Sequence, residues 1–269
     1  MNRLRRLWAH RRVIGLLVSR DLKVKYADSS IGYVWSLLEP LLLAVIFWFV
    51  FSVLMERQVG AEPYIVFLLS AMLPWQWANN VIRQSMRAFN KDAKLVRSTN
   101  IPREIWVIRA VLSRGAEVLM ALPVVALFAV LNDATLRWQV VFVPAALLIQ
   151  TALLTGVGMI LAPTAALHSD VDRTVKIFLR LLFYLSPVIY GLQDVQERFV
   201  EDKPGLQPLA DLYMLNPLAG LFDLYRLAFF PELWAGWAPL IVSIVASVLA
   251  LAVGALTFRR LEARVLKEL

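Results

Sequence analysis

The residues best equipped to do chemistry in this chain are few and scattered. Asp170 and Asp172 stand two apart in HSDVDR, and a second acidic set follows with Asp194, Glu197, Glu201, Asp202 and Asp211. Paired carboxylates serve acid–base catalysis and group transfer when a cleft shifts their pKa values apart. Both sets sit in polar stretches, so solvated loop charge is the reading they favour. The two histidines, His10 and His168, are too few for a histidine-rich metal site, and without cysteine there is no disulfide, thiolate ligand or cysteine nucleophile. No Gly-Lys dipeptide occurs, which removes the phosphate-binding loop GxxxxGK[ST]; HExxH and GxSxG are also missing. No catalytic residue, metal ligand or cofactor is therefore assigned to this chain.

The elements that carry these residues are membrane elements. Hydrophobic residues make up 59% of the 269 and charged residues 18%, with a mean hydropathy of +0.65, outside the range of soluble globular domains. The net charge of +8 would suggest nucleic acid in a soluble domain. Here the cations fall in the gaps between apolar runs, where they act as topology signals and contacts to anionic lipid, so no nucleic-acid partner is expected. A hydrocarbon core takes about 20 apolar residues to cross, and six spans are predicted over 37–55, 64–82, 109–131, 140–167, 175–190 and 237–258. The fifth is short, so either its inner turn snorkels or the bilayer thins around it.

The hydrophilic segment RQSMRAFNKDAKLVRSTNIPRE, between the second and third spans, holds Arg83, Arg87, Lys91, Lys94, Arg97 and Arg103. Flanking cations resist translocation, which keeps it cytoplasmic. It lacks glycine and has its one proline, Pro102, near the end, so most of it is predicted helical and firm enough to face a cytoplasmic partner. On the six-span reading, 23 of the 28 Lys and Arg lie on the inner side and five outside, which puts both termini in the cytoplasm. The broken apolar stretch Tyr213–Phe230, with Asp223 and Arg226 inside it, is then a re-entrant or interfacial hairpin on the outer side, since a further span would reverse the last helix. Residues 191–212 read as an acidic outer loop.

Residues 1–36 are basic and unlike a cleavable signal. Val13, Ile14, Leu17, Val18 and Leu22 fall roughly on one face, as in a helix lying at the inner membrane surface with its cations toward anionic lipid; an unstructured basic tail is the alternative. Within the spans, Glu39 is expected to face protein or the interface. Arg114 and Glu117, three apart, can pair at the inner boundary, while snorkelling accounts equally well for Arg109. Gly156, Gly158 and Ala162, and Ala246, Ala250 and Gly254 in the last span, are spaced for close helix packing, though glycine facing lipid is also open. The spans hold few acids and many aromatics, among them Trp48, Trp75, Trp77, Phe183, Tyr184 and Tyr190. Aromatic faces stack on the C–H faces of sugar rings and suit a sliding polymer; an interfacial aromatic belt explains most of them individually.

Five patterns in order, RDLKVKYADSSIGYVWSLLEP at 20–40, Pro74-Trp75, LVRSTNIPRE at 95–104, SPVIY at 186–190 and NPLAGLFDLYR at 216–226, resemble the permease subunits of type-2 ABC exporters. The resemblance is to the polysaccharide branch in particular, which exports O-antigen, teichoic acid or lipid-linked galactan. It implies an all-α transmembrane domain over 37–269 behind a cytoplasmic interface segment over 1–36, in a bacterial inner membrane. It implies contact with a nucleotide-binding subunit near Arg20 and Tyr26 and a coupling helix at Asn90, Lys91, Lys94, Leu95 and Arg97. An outer gate region over 191–230 is implied with SPVIY beside it, using Ser186, Pro187, Asn216, Pro217 and Arg226. The permease would work as a homodimer with two ATPase subunits that bind ATP and Mg, and would carry a lipid-linked polysaccharide through membrane lipid. RSTNIP departs from the lysine and aromatic residue common near that proline in the family, which loosens the assignment of individual contacts. An exporter of drugs or lipids, and a membrane glycan or lipid transferase, are the rival classes.

Overall fold

The computed structural model describes residues 3–27, 34–56, 59–91, 93–99, 101–201 and 204–268. Among them all regular structure is helical. Two helices, α1 (Arg3–Ala9) and α2 (Arg11–Tyr26), form the N-terminal segment. α3 (Val34–Trp48) carries Pro40 and continues as a π-helical stretch Phe49–Leu54. α4 (Tyr64–Met86) is the central post: Val66, Phe67, Leu68, Leu69, Ala71 and Met72 are all buried. A helix buried all round must be surrounded by others, and here α3, α7 (Glu104–Leu131), α8 (Val143–Leu167) and α12 (Pro217–Arg226) pack against it. Between α4 and α7 lie two short helices, α5 (Ala88–Lys91) and α6 (Ala93–Ser98). After α8 come α9 (Asp170–Tyr184), α10 (Leu192–Gln196), α11 (Gln207–Met214), α12 and the long α13 (Trp237–Glu268).

Among the described residues four helical segments are long and apolar enough to cross a membrane, Tyr64–Met86, Glu104–Leu131, Trp138–Leu167 and Trp237–Glu268; Leu38–Leu54 is a shorter apolar helix. The fifth predicted span needs correcting. Its helix runs Asp170–Tyr184, fifteen residues, so it starts before residue 175 and stops six residues short of 190. Pro187 disfavours helical backbone at Ser186 and breaks the pattern there. At 1.5 Å per residue the helix is about 22 Å long. Asp170 and Asp172 lie in its first turn, not in a loop, and Asp172 pairs with Lys176 one turn on. The stretch 191–212 is likewise largely helical. α4 ends at Arg87 with φ −99° and ψ 0°, and beyond it Ala88–Lys91 and Ala93–Ser98, where the coupling element is expected, are helical.

α8 and α13 pack backbone to backbone. A Cβ built on Gly156 would sit 2.3 Å from the backbone carbon of Ala250, and one on Gly254 would sit 2.4 Å from the Gly156 oxygen. The two backbones touch, and only glycine allows it. These small residues therefore serve packing within the chain. Gly158 faces Val107 and Ser85 of neighbouring helices. On α13 the buried stripe runs through Ser243, Ser247 and Gly254, and Ser243 donates to the Pro217 carbonyl at 2.7 Å, fastening α12 to α13.

Candidate export path and coupling surface

After α9 the chain makes a tight turn at 185–190 with little backbone pairing of its own. A buried carbonyl without a partner is costly, and side chains from two other helices supply most of the donors. Asn216 Nδ2 donates to the Leu185 carbonyl (3.3 Å) and to Ser186 Oγ (2.9 Å). Arg226 donates through Nη2 to Val188 O (2.9 Å) and through Nη1 to Tyr190 O (3.1 Å). The Tyr64 hydroxyl donates to Ile189 O at 2.8 Å. Asn216 also caps α12, accepting from the Leu218 N–H at 3.0 Å, with Pro217 in the first turn where a missing N–H is harmless. Arg226 is buried, and its guanidinium lies 3.7 Å from the centroid of the Phe67 ring, a cation–π contact inside low-dielectric protein. Ser186 and Pro187 are buried as well. The five residues expected at the outer gate thus come together in one lock, to which Tyr64 and Phe67 of α4 also belong. No sequence signal joined α4 to it.

Further along α4 a groove of about 230 Å³ opens between α3, α4 and α9. Trp75 and Phe183 meet there with ring centroids 5.4 Å apart, and Phe183 meets Tyr184 edge-on at 5.1 Å. The same groove presents Glu39 and the amides of Gln76, Asn79 and Asn80. Trp75, Gln76, Asn79 and Asn80 follow the spacing that places residues on one helix face, so the pattern was available in the sequence and only its aromatic part was read. The other aromatics lie elsewhere. Trp48 is 41% exposed on α3. Trp77 is buried against Gly115 and donates its indole N–H to Val111 O at 3.1 Å, a packing role. Tyr190 belongs to the outer turn, donating to Tyr184 O at 2.8 Å and accepting from the Tyr213 hydroxyl at 3.1 Å. Between groove and lock, buried Gln150 of α8 donates to the Pro74 carbonyl (2.8 Å) and accepts from the Tyr225 hydroxyl (2.8 Å), linking α4, α8 and α12.

At the opposite end of α4 the N-terminal α2 is fastened to α7. Asp21 pairs with Arg109, which is 3% exposed. Arg109 therefore does not snorkel; the carboxylate on α2 lets it stay inside. One turn along α2, Lys25 meets Glu117 at 2.9 Å, and Glu117 also pairs with Arg114 at 2.9 Å, as its spacing suggested. Arg114 reaches on to Gln84 of α4 at 2.8 Å. Arg20 faces outward on α2, and Asn90 and Leu95 are exposed on α5 and α6. The side chains of Tyr26, Lys91, Lys94 and Arg97 lie outside the described residues. α5 and α6 are anchored from beneath: Phe89 and Val96 are buried in a cluster with Trp106, Met159, Phe258 and Val265. Among the described residues no group of three or more His, Asp or Glu is placed to hold a metal ion.

Long apolar helices around a buried post, each satisfying its own backbone, mark an integral membrane protein. Residues 12–230 match the family model described as ABC-2 type transporter, and the chain belongs to that family. An O-antigen export system permease protein RfbA of Klebsiella pneumoniae is 30% identical, covering 78% of this chain and 77% of its own. The protein of that name in Myxococcus xanthus is 25% identical over 92% and 91%. The polysialic acid transport protein KpsM of Escherichia coli is 22% identical over 80% of each. The relatives are transport subunits, and the chain is a transporter component.

Proposed function

We propose that this chain is the permease of an ATP-driven exporter that moves a lipid-linked cell-envelope polysaccharide from the cytoplasm across a bacterial inner membrane. The observation that carries the substrate class is the groove on α4, where aromatic faces of Trp75, Phe183 and Tyr184 stand beside the amides of Gln76, Asn79 and Asn80. Aromatic rings hold the C–H faces of sugars and amides exchange hydrogen bonds with their hydroxyls. The names of the relatives, O-antigen and polysialic acid carriers, point the same way.

In this reading the chain crosses six times, with α3 and its π-helical continuation as the first crossing and α9 as the fifth. α11 and α12 form the outer re-entrant hairpin, and both termini are cytoplasmic. Residues 1–36 are the interface segment and 37–269 the transmembrane domain. Two copies of the chain join two nucleotide-binding subunits, which bind ATP and Mg and hydrolyse the nucleotide. Those subunits grip Arg20 and Tyr26 of α2 and Asn90, Lys91, Lys94, Leu95 and Arg97 of α5 and α6. Closure of the ATPase pair moves both elements, and α7 follows α2 through Asp21–Arg109 and Lys25–Glu117. The docking contacts must differ between states, because a partner shifts an equilibrium only by its differential affinity. The lock at Ser186, Pro187, Asn216, Pro217 and Arg226 frames the outer exit.

The test is co-purification of the chain with the ATPase encoded beside it, followed by ATPase assay with and without lipid-linked glycan. The expected result is association that charge reversal at Lys91, Lys94 and Arg97 weakens, and glycan stimulation that Trp75→Ala and Asn79→Ala reduce. Stimulation by drugs or phospholipid but not glycan would refute the substrate class. Glycan transfer by the chain alone, with no ATPase bound, would refute the transport reading.

A further inference from the structure

Behind the groove lies a second space of opposite character. α4, α8, α9 and α12 part to leave a cavity of about 340 Å³, open on one side, with Trp75, Ala78, Val157, Leu179 and Leu182 in its walls. Trp75 is the partition, since it lines the groove as well. Asn216 is the one polar side chain in the lining, and its amide is already committed to Leu185, Ser186 and Leu218. No charged residue lines the cavity.

These features select an occupant. An ordered water needs two to four polar partners, and an apolar cavity of about 150 Å³ is already dry and takes up benzene. A hydrocarbon chain fits. With no cation in the walls to hold the phosphate of a polyprenyl carrier, occupancy follows abundance, and the bulk lipid of a bilayer is phospholipid. We propose that the cavity is a binding site for one acyl chain of a bilayer phospholipid, inserted laterally beside Phe178, which is 57% exposed. The seated chain props α12 and Asn216 against α9. This inference stands apart from the export activity and survives its failure.

The experiment uses the chain with its ATPase partner, reconstituted in phosphatidylethanolamine and phosphatidylglycerol vesicles whose acyl chains carry bromine, which quenches tryptophan on contact. The difference in emission between the native protein and Trp75→Phe isolates Trp75. Brominated vesicles are expected to remove most of that component relative to unbrominated ones. Val157→Phe, which fills the cavity, is expected at least to halve the loss, and Leu182→Phe provides the same test should the first variant fail to fold. Three outcomes overturn the proposal. Trp75 emission is indifferent to bromine; or the filled variants are quenched as fully as the native protein, meaning that bromine arrives through the groove; or a small fraction of unbrominated polyprenyl phosphate restores emission where equal unbrominated phospholipid does not.

Discussion

The lock at 185–190, proposed as outer, and the α2–α7 latch, proposed as inner, hold opposite ends of α4, and they do so by different physics. At the lock end Tyr64 and Phe67 join Asn216 and Arg226 around neutral backbone carbonyls, with Tyr64, Phe67 and Arg226 themselves buried. At the inner end Gln84 joins a chain of charges, Arg114, Glu117 and Lys25, the last with 36% of its side chain exposed. A buried carbonyl that loses its donor gains nothing in return, so the outer lock opens wholly or stays shut. Of these charges Lys25 is the one well exposed, and it can exchange Glu117 for water at little cost, while the Asp21–Arg109 pair beside it stays buried. The difference teaches which end yields first: the inner one, where ATPase contact is proposed.

Four changes would break or sharpen this contrast. Arg226→Ala should be the most damaging, because two carbonyls and the Phe67 contact lose their donor together. A loss of about 3 kcal/mol is expected, read as a lowered unfolding temperature in detergent, and Arg226→Lys should recover only part of it since an ammonium cannot reach both carbonyls in the same fork. Next is Gly156→Leu. It pushes α8 off α13 and should cost roughly 1–3 kcal/mol, while Gly205→Leu, with open space around it, should be silent in the same melt. Third, Glu117→Gln, which takes the carboxylate from both Lys25 and Arg114, should cost roughly 1–2 kcal/mol and reduce ATPase coupling, and the exchange Lys25→Glu with Glu117→Lys should restore coupling better than either change alone; equal defects in all three would sink the latch. Smallest is Tyr213→Phe, which removes one hydroxyl contact to Tyr190 and should lower stability by about 0.5–1 kcal/mol. Raised salt should shrink the third effect and leave the first unchanged.

The long apolar helices were legible in the sequence because hydropathy reports lipid and core alike. The Arg114–Glu117 pair was legible because helix geometry makes it local. Other features were hidden by distance along the chain. Arg226 meets Val188 and Tyr190 across nearly forty residues, and Arg109 meets Asp21 across 88, which periodicity cannot register. The small-residue stripe of α13 was read at every fourth residue, but a four-residue step overshoots a turn of 3.6. The buried track therefore passes through Ser243 and Ser247 instead of Ala246. SPVIY looked like the end of a span since its residues are apolar. Its carbonyls turned out to be served by other helices, which no composition reveals. The amide face of α4 was within reach, and attention to aromatics alone obscured it.

Phe89 stacks 5.8 Å from Phe258, so the short helices between α4 and α7 rest on the foot of α13. That seat makes them a crank and not a hinge. On the proposed coupling, a nudge delivered to the six residues of α6 would be handed on to a rod of thirty-two residues, which would carry α8 with it through the glycine contact. A small stroke at one rim would then be geared to the other without any loop having to bend.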